Sequence, residues 1–181
     1  MNVLDHLIEE HHTVDALIGR LTESSPGEPR EHALRELESA LHTHISVEEM
    51  FVYPLVNLCV SSDAYEGARN EHERMQGELF EARTLVSKPG FVAALDALRA
   101  GLQHHVADEE QRVFPMLRDR AAVQIAELGD AEDLEALATD RAMQADVGDG
   151  RSSSDMTPEE LRAAIRQFDA SHGSKATQQQ S

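Results

Sequence analysis

The chain has 181 residues, room for one ordinary domain with extensions but not for two full ones. Acidic residues outnumber basic ones 34 to 16, a formal charge of −18, which argues against general affinity for nucleic acid or an anionic membrane. The single cysteine, Cys59, excludes an intramolecular disulfide framework and any CxxC site, and no run approaches the ~20 apolar residues of a membrane span.

The opening MNVLDHLIEEHH is acidic and lacks a basic n-region, so it is not expected to be a signal peptide, and the expected location is cytoplasmic. Trp is absent, and Ala, Leu, Glu and Arg dominate, the composition of a helical protein. Ten histidines are present, nine of them before residue 106.

Apolar residues recur at three- and four-residue steps in four long runs. The first, Asn2 to Leu21, reads Leu4, Leu7, His11, Val14, Ile18, Leu21. The second, Pro29 to about Leu58, reads Leu34, Leu37, Leu41, His44, Glu48, Phe51, Leu55. The third, Ser62 to Ser87, reads Tyr65, Ala68, His72, Met75, Leu79, Ala82, and the fourth, Phe91 to Leu117, reads Leu95, Leu98, Leu102, His105, Glu109, Val113, Met116. Turn chemistry separates them: Ser-Ser-Pro-Gly-Glu-Pro at 24–29, Ser-Ser-Asp at 61–63, Ser-Lys-Pro-Gly at 87–90. Short links between long helices predict an all-α, up-down-up-down four-helix bundle.

The expected organisation places the bundle at residues 1–118 and a helical extension at 119–146. A Gly/Ser linker follows at 147–156, then a short C-terminal helix at 157–172, opened by Thr157-Pro158-Glu159-Glu160, and a tail at 173–181.

The runs repeat. A shift of 61 residues, with no gap, lays Glu10-His11 on Glu71-His72, His44 on His105, Glu48-Glu49 on Glu109-Glu110, and Val52-Tyr53-Pro54 on Val113-Phe114-Pro115. A helical hairpin used twice can pack about a pseudo-two-fold axis.

Each stripe carries a polar residue at a core position near mid-helix. His11 and His72 stand alone, while His44/Glu48 and His105/Glu109 are i, i+4 pairs that project from one face. At ~1.5 Å rise per residue the six fall into one layer of the bundle. A buried glutamate must be protonated, paired or bound to a metal, and no Lys or Arg lies on the stripes to pair with Glu48 and Glu109. A metal-free hydrogen-bonded network is the plainer alternative. Four imidazoles and two carboxylates suit iron, manganese or zinc. The pseudo-two-fold predicts His11 and His44 on one ion, His72 and His105 on the other, with Glu48 and Glu109 bridging. Glu49 and Glu110 are expected at solvated faces or as acceptors for a ligand N–H.

This H…HxxxE…H…HxxxE pattern, with an aromatic-Pro pair after each glutamate, resembles the haemerythrin-like, or HHE cation-binding, family. EHHTVDALI and NEHERMQGEL look like its first and third helices, HISVEEMFVYPLV and HHVADEEQRVFPML like its second and fourth. The resemblance covers roughly residues 1–118. It implies a non-haem site of two iron ions with an oxo or hydroxo bridge, reacting with hydrogen peroxide, oxygen or nitric oxide. Oxygen-carrying members have HxxxH on the third helix and HxxxxD on the fourth. Here Gln76 stands where the extra histidine would be, and the fourth helix carries HxxxE.

The doubled HxxxE form resembles a bacterial subgroup linked to peroxide and nitric oxide chemistry. The implied function is catalase-like peroxide decomposition or protection from oxidative or nitrosative stress. The alternative is a sensor of oxygen, nitric oxide or iron, or an iron-binding protein without turnover. Tyr53, whose repeat mate is Phe114, is a candidate for the ligand that Gln76 fails to supply, although a spacing of five from Glu48 fits one α-helical face poorly. Packing in the core is its other reading.

Overall fold

Asn2 starts the first helix, α1 (Val3–Glu23), by accepting the Leu4 N–H through its side-chain oxygen at 2.8 Å. Gly27, at φ +106°, turns the chain into α2 (Glu28–Val47), which has a proline in its first turn. The third long helix, α4 (Ser62–Thr84), is capped by Ser61, whose hydroxyl accepts from the Ala64 N–H at 3.1 Å. Gly90, at φ +96°, leads into α5 (Phe91–Asp108). The computed structural model describes residues 1–145, with side chains through Thr139. The linker, short helix and tail expected at 147–181 lie outside the described residues.

The expected second and fourth helices are not continuous α-helix. Each passes through one wider π-helical turn, Glu48–Val52 after α2 and Glu109–Val113 after α5. Each then resumes, as α3 (Tyr53–Cys59) and α6 (Phe114–Arg120). The cause is local. Pro54 and Pro115 sit in the first turns of α3 and α6. In a regular α-helix each ring would collide with the carbonyl four residues back and leave it without a donor. The wider turn relieves this: the Tyr53 N–H bonds the Glu48 carbonyl, and the Phe114 N–H bonds that of Glu109.

α1 and α2 form one antiparallel hairpin and α4 and α5 the other, with α1 against α5 and α3 against α4. The result is an all-helical, up-down-up-down four-helix bundle with no strand among the described residues. At one end Arg30 ties the two hairpin loops together: its guanidinium donates to the carbonyls of Ser24 (2.8 Å) and Val86 (3.2 Å) and lies 4.6 Å over the Phe91 ring. At the other end the extension, α7 (Ala122–Glu127) and α8 (Ala131–Ala145), packs back onto the bundle, with α8 against α2. No described helix is long and apolar enough to cross a membrane.

The apolar interior comes in two pieces. One holds Val14, Ile18, Leu37, Leu41, Met75, Leu95 and Leu98. The other holds Leu4, Leu7, Phe51, Tyr53, Val56, Phe114 and Leu117, together with Leu134 and Leu137 of α8. Between them lies a layer made of the buried polar side chains of the described residues: His11, His44, Glu48, His72, His105 and Glu109.

Candidate metal centre

All six layer residues are within 2% of complete burial. Their coordinating atoms converge. His44, His72 and His105 bring Nε2 to 3.3, 3.1 and 3.7 Å from Glu48 Oε2. His11 and His105 each bring Nε2 to 3.4 Å from Glu109 Oε2, and His11 Nε2 is 3.8 Å from Glu48 Oε1. The rings pair as the repeat predicts, with centroids 4.8 Å apart in both His11–His44 and His72–His105.

These approaches are close but poorly aligned as hydrogen bonds. His11 Nε2, His44 Nε2, both Glu48 oxygens and Glu109 Oε2 are buried without any hydrogen-bond partner. Orphaned buried polar atoms cost on the order of 1–3 kcal/mol each, more when charged. Here the orphans crowd together, and atoms of His11, His44, Glu48 and His105 lie within 4.8 Å of one another. Imidazole nitrogens and carboxylate oxygens so arranged are a donor set for a transition metal.

The other ring nitrogens are accounted for completely. His11 Nδ1 donates to Glu110 Oε1 (2.9 Å), His44 Nδ1 to Glu10 Oε2, His72 Nδ1 to Glu49 Oε1 and His105 Nδ1 to Glu71 Oε2, the last three at 3.1 Å. Holding Nδ1–H on a carboxylate turns Nε2 toward the centre, where it can give its lone pair to a cation once its own proton leaves. The four acceptors obey the repeat: Glu10 and Glu71 steady the histidine of their own hairpin, while Glu49 and Glu110 reach across to the other one. Sequence reasoning singled out Glu49 and Glu110 but missed Glu10 and Glu71. Their signal was present, since Glu-His is the doublet on which the two halves align.

Electrostatics follow from burial and proximity. Burial opposes ionisation of Glu48, but His44, with the close approach of His105, His11 and His72, overcomes it and holds its carboxyl well below the usual range. Burial and the neighbouring Glu48 charge push Glu109 up. Burial works against a charged His11, yet the close carboxyl groups of Glu109 and Glu48 raise it to about 10, and His72 and His105 are raised against burial by their own glutamate neighbours.

Tyr53 lies at the edge of the cluster, fully buried. Its hydroxyl donates to Glu109 Oε1 at 3.0 Å and meets His72 Nε2 at 2.9 Å, and its ring stacks on His72 with centroids 5.0 Å apart. Phe114 takes the equivalent place over His11, with centroids 6.1 Å apart. The spacing of five from Glu48, unfavourable on an α-helix, is the natural period of the π turn between them, and this corrects the objection raised by α-helical geometry. Gln76 is not brought to the site: it is exposed on α4.

Comparison with known proteins points the same way. The chain is 32% identical over 81 residues to an uncharacterised hemerythrin-like protein of Schizosaccharomyces pombe, an alignment spanning 42% of this chain and 40% of that one. No solved structure matches at a significant level. The sequence model of the hemerythrin HHE cation binding domain matches residues 2–117 and again residues 63–171, the two ranges sharing the α4–α5 hairpin that the repeat duplicates. With a cation-binding family model matched along most of the bundle and a buried His/Glu cluster between its two cores, this chain belongs to the hemerythrin HHE cation-binding family.

Proposed function

We propose that the buried cluster holds two iron ions and that the protein decomposes hydrogen peroxide in a catalase-like reaction, 2 H2O2 giving 2 H2O and O2. His11 and His44 would hold one ion, His72 and His105 the other, with Glu48 and Glu109 between them. A bridged pair of irons supplies two-electron redox chemistry, matching the electron demand of peroxide. The observation that carries the reading is the set of buried, partnerless Nε2 and carboxylate atoms gathered within one layer.

The chain's own groups set the rest. Glu10, Glu49, Glu71 and Glu110 keep the four imidazoles turned inward. The two apolar cores exclude bulk water from above and below the layer. The Tyr53 hydroxyl, 3.0 Å from Glu109, gives the edge of the site a hydrogen-bond donor, and burial with the Glu109 charge keeps that proton on the phenol far above its ordinary range. Tyr53 stands 2.9 Å from His72 Nε2, while Gln76, at the position of the extra histidine of oxygen carriers, faces solvent. This favours turnover over reversible oxygen carriage.

The test is aerobic purification with metal quantification, an optical spectrum and a peroxide assay. Two irons per chain, a near-ultraviolet charge-transfer band and oxygen evolution are expected, with evolution abolished in His44→Ala and Glu109→Ala. One zinc and no iron per chain would overturn the di-iron reading. Gas binding without peroxide turnover would favour a sensor.

A further inference from the structure

Outside the buried layer a second group of ligand-type side chains converges at the junction of α1 and α8. His6 lies on α1, Glu10 follows one turn later on the same face, and Glu135 reaches over from α8. One ligand atom from each lies within 4.8 Å of the others. His6 Nε2 is in direct contact with Glu135 Oε1 and 3.9 Å from Glu10 Oε1. The three are partly open to solvent, with side-chain exposures of 18%, 18% and 31%, so a hydrated ion can reach them. Among the described residues neither carboxylate is paired with an arginine or lysine. The two carboxylates face the one imidazole of His6, and Glu10 is shared with His44.

We propose that His6, Glu10 and Glu135 form a further binding site for a divalent transition-metal ion, zinc being the probe of choice. One imidazole and two carboxylates suit a borderline cation, and three protein ligands leave at least one position for water. The site differs from the buried cluster in being open, in drawing on α8, and in having no complete counterpart in the second half of the internal repeat. The residue 61 positions after His6 is Gly67, which offers no ligand.

Glu10 belongs to both environments. Its Oε2 accepts the His44 Nδ1–H at 3.1 Å while its Oε1 faces His6. A cation on Oε1 draws electron density from the carboxylate that steadies His44, and so couples the open site to the buried one. It also clamps α8 to α1, since two of its ligands come from one helix and the third from the other.

The experiment uses the full chain as purified, its resident metal quantified first, and dialysed against zinc at equilibrium. Wild type should take up one zinc per chain with no loss of resident metal, and amide hydrogen exchange in α8 should slow. Glu135→Gln and His6→Gln should each take up none, with resident metal and helix content unchanged. Equal zinc uptake in all three proteins overturns the proposal, as does uptake matched by an equal loss of resident metal. If Glu135→Gln fails to fold, His6→Gln, on a different helix, decides it. Because resident metal is counted separately, failure here is distinct from failure of the di-iron reading.

Discussion

Tyr53 and Phe114 are equivalents in the two hairpins, each stacked on the lone histidine of a neighbouring helix, yet only Tyr53 carries a hydroxyl. Tyr53→Phe makes the halves alike and leaves the ring packing in place. It removes the donor to Glu109, so chemical denaturation should show a loss of about 1–3 kcal/mol. If the phenol takes part in the iron chemistry, the visible absorption and the rate of oxygen evolution change together. An unaltered spectrum and rate would assign Tyr53 to packing.

The acceptor glutamates make a different residue-scale prediction. Glu71 touches the site only through His105, and that hydrogen bond holds its carboxyl below the usual range. Glu71→Gln should weaken metal affinity roughly 10–100-fold without altering helix content by circular dichroism. The sign with pH follows from the lowered carboxyl. The contribution of Glu71 is fully present above the ordinary carboxylate range and fades as pH falls through the folded value. Wild-type metal retention should therefore decline in acid, and that of Glu71→Gln should already be weak at neutral pH.

At the scale of the element, the two π turns give the HxxxE motifs their reach. Each follows the glutamate and precedes the aromatic-Pro pair, so the side chain five residues on returns to the face of the site. In a regular helix interior, replacing a proline by alanine would gain about 3 kcal/mol. Here the wider turn has already removed the clash, and Pro54→Ala should gain less than about 1 kcal/mol in a denaturant titration. A gain near the full value would show that the turn does not relieve Pro54. Relaxation of the turn to α-helical spacing would instead carry the Tyr53 hydroxyl away from Glu109, with the same spectral loss as Tyr53→Phe.

At the scale of the whole molecule, the polar layer divides the interior into two apolar halves, with its side chains drawn from four helices. Those side chains converge only in the folded chain, so a metal held by them would couple its binding to stability. A cation present at 100 times its dissociation constant adds about 2.7 kcal/mol, and chelation should lower the melting temperature accordingly. Protons compete for the same nitrogens, because His11, His72 and His105 are all raised by their glutamate partners. Metal affinity measured by competition with a chelator should therefore keep rising above the ordinary histidine range, toward the value of about 10 to which His11 is raised, with protons released on binding.

What the sequence by itself determined is whatever depends on period and repeat. The 3.6-residue stripes yield the helices, the short turn-rich links yield their antiparallel order, and the 61-residue shift selects His11 over His12 and His105 over its neighbour His104. The buried glutamates were legible because a carboxylate on an apolar stripe with no basic partner is costly anywhere. Three features needed the tertiary structure. The π turns arise from a conflict between Pro54 or Pro115 and the helix before it, and α-helical periodicity assigns those segments no such register. Glu10 and Glu71 lie beside the ligand histidines in sequence, but each serves a histidine on the next helix of its hairpin, and only helix packing sets that pairing. The meeting of His6 with Glu135 joins residues 129 positions apart through the docking of α8, and local spacing carries no information about contacts made by packing one amphipathic helix against another.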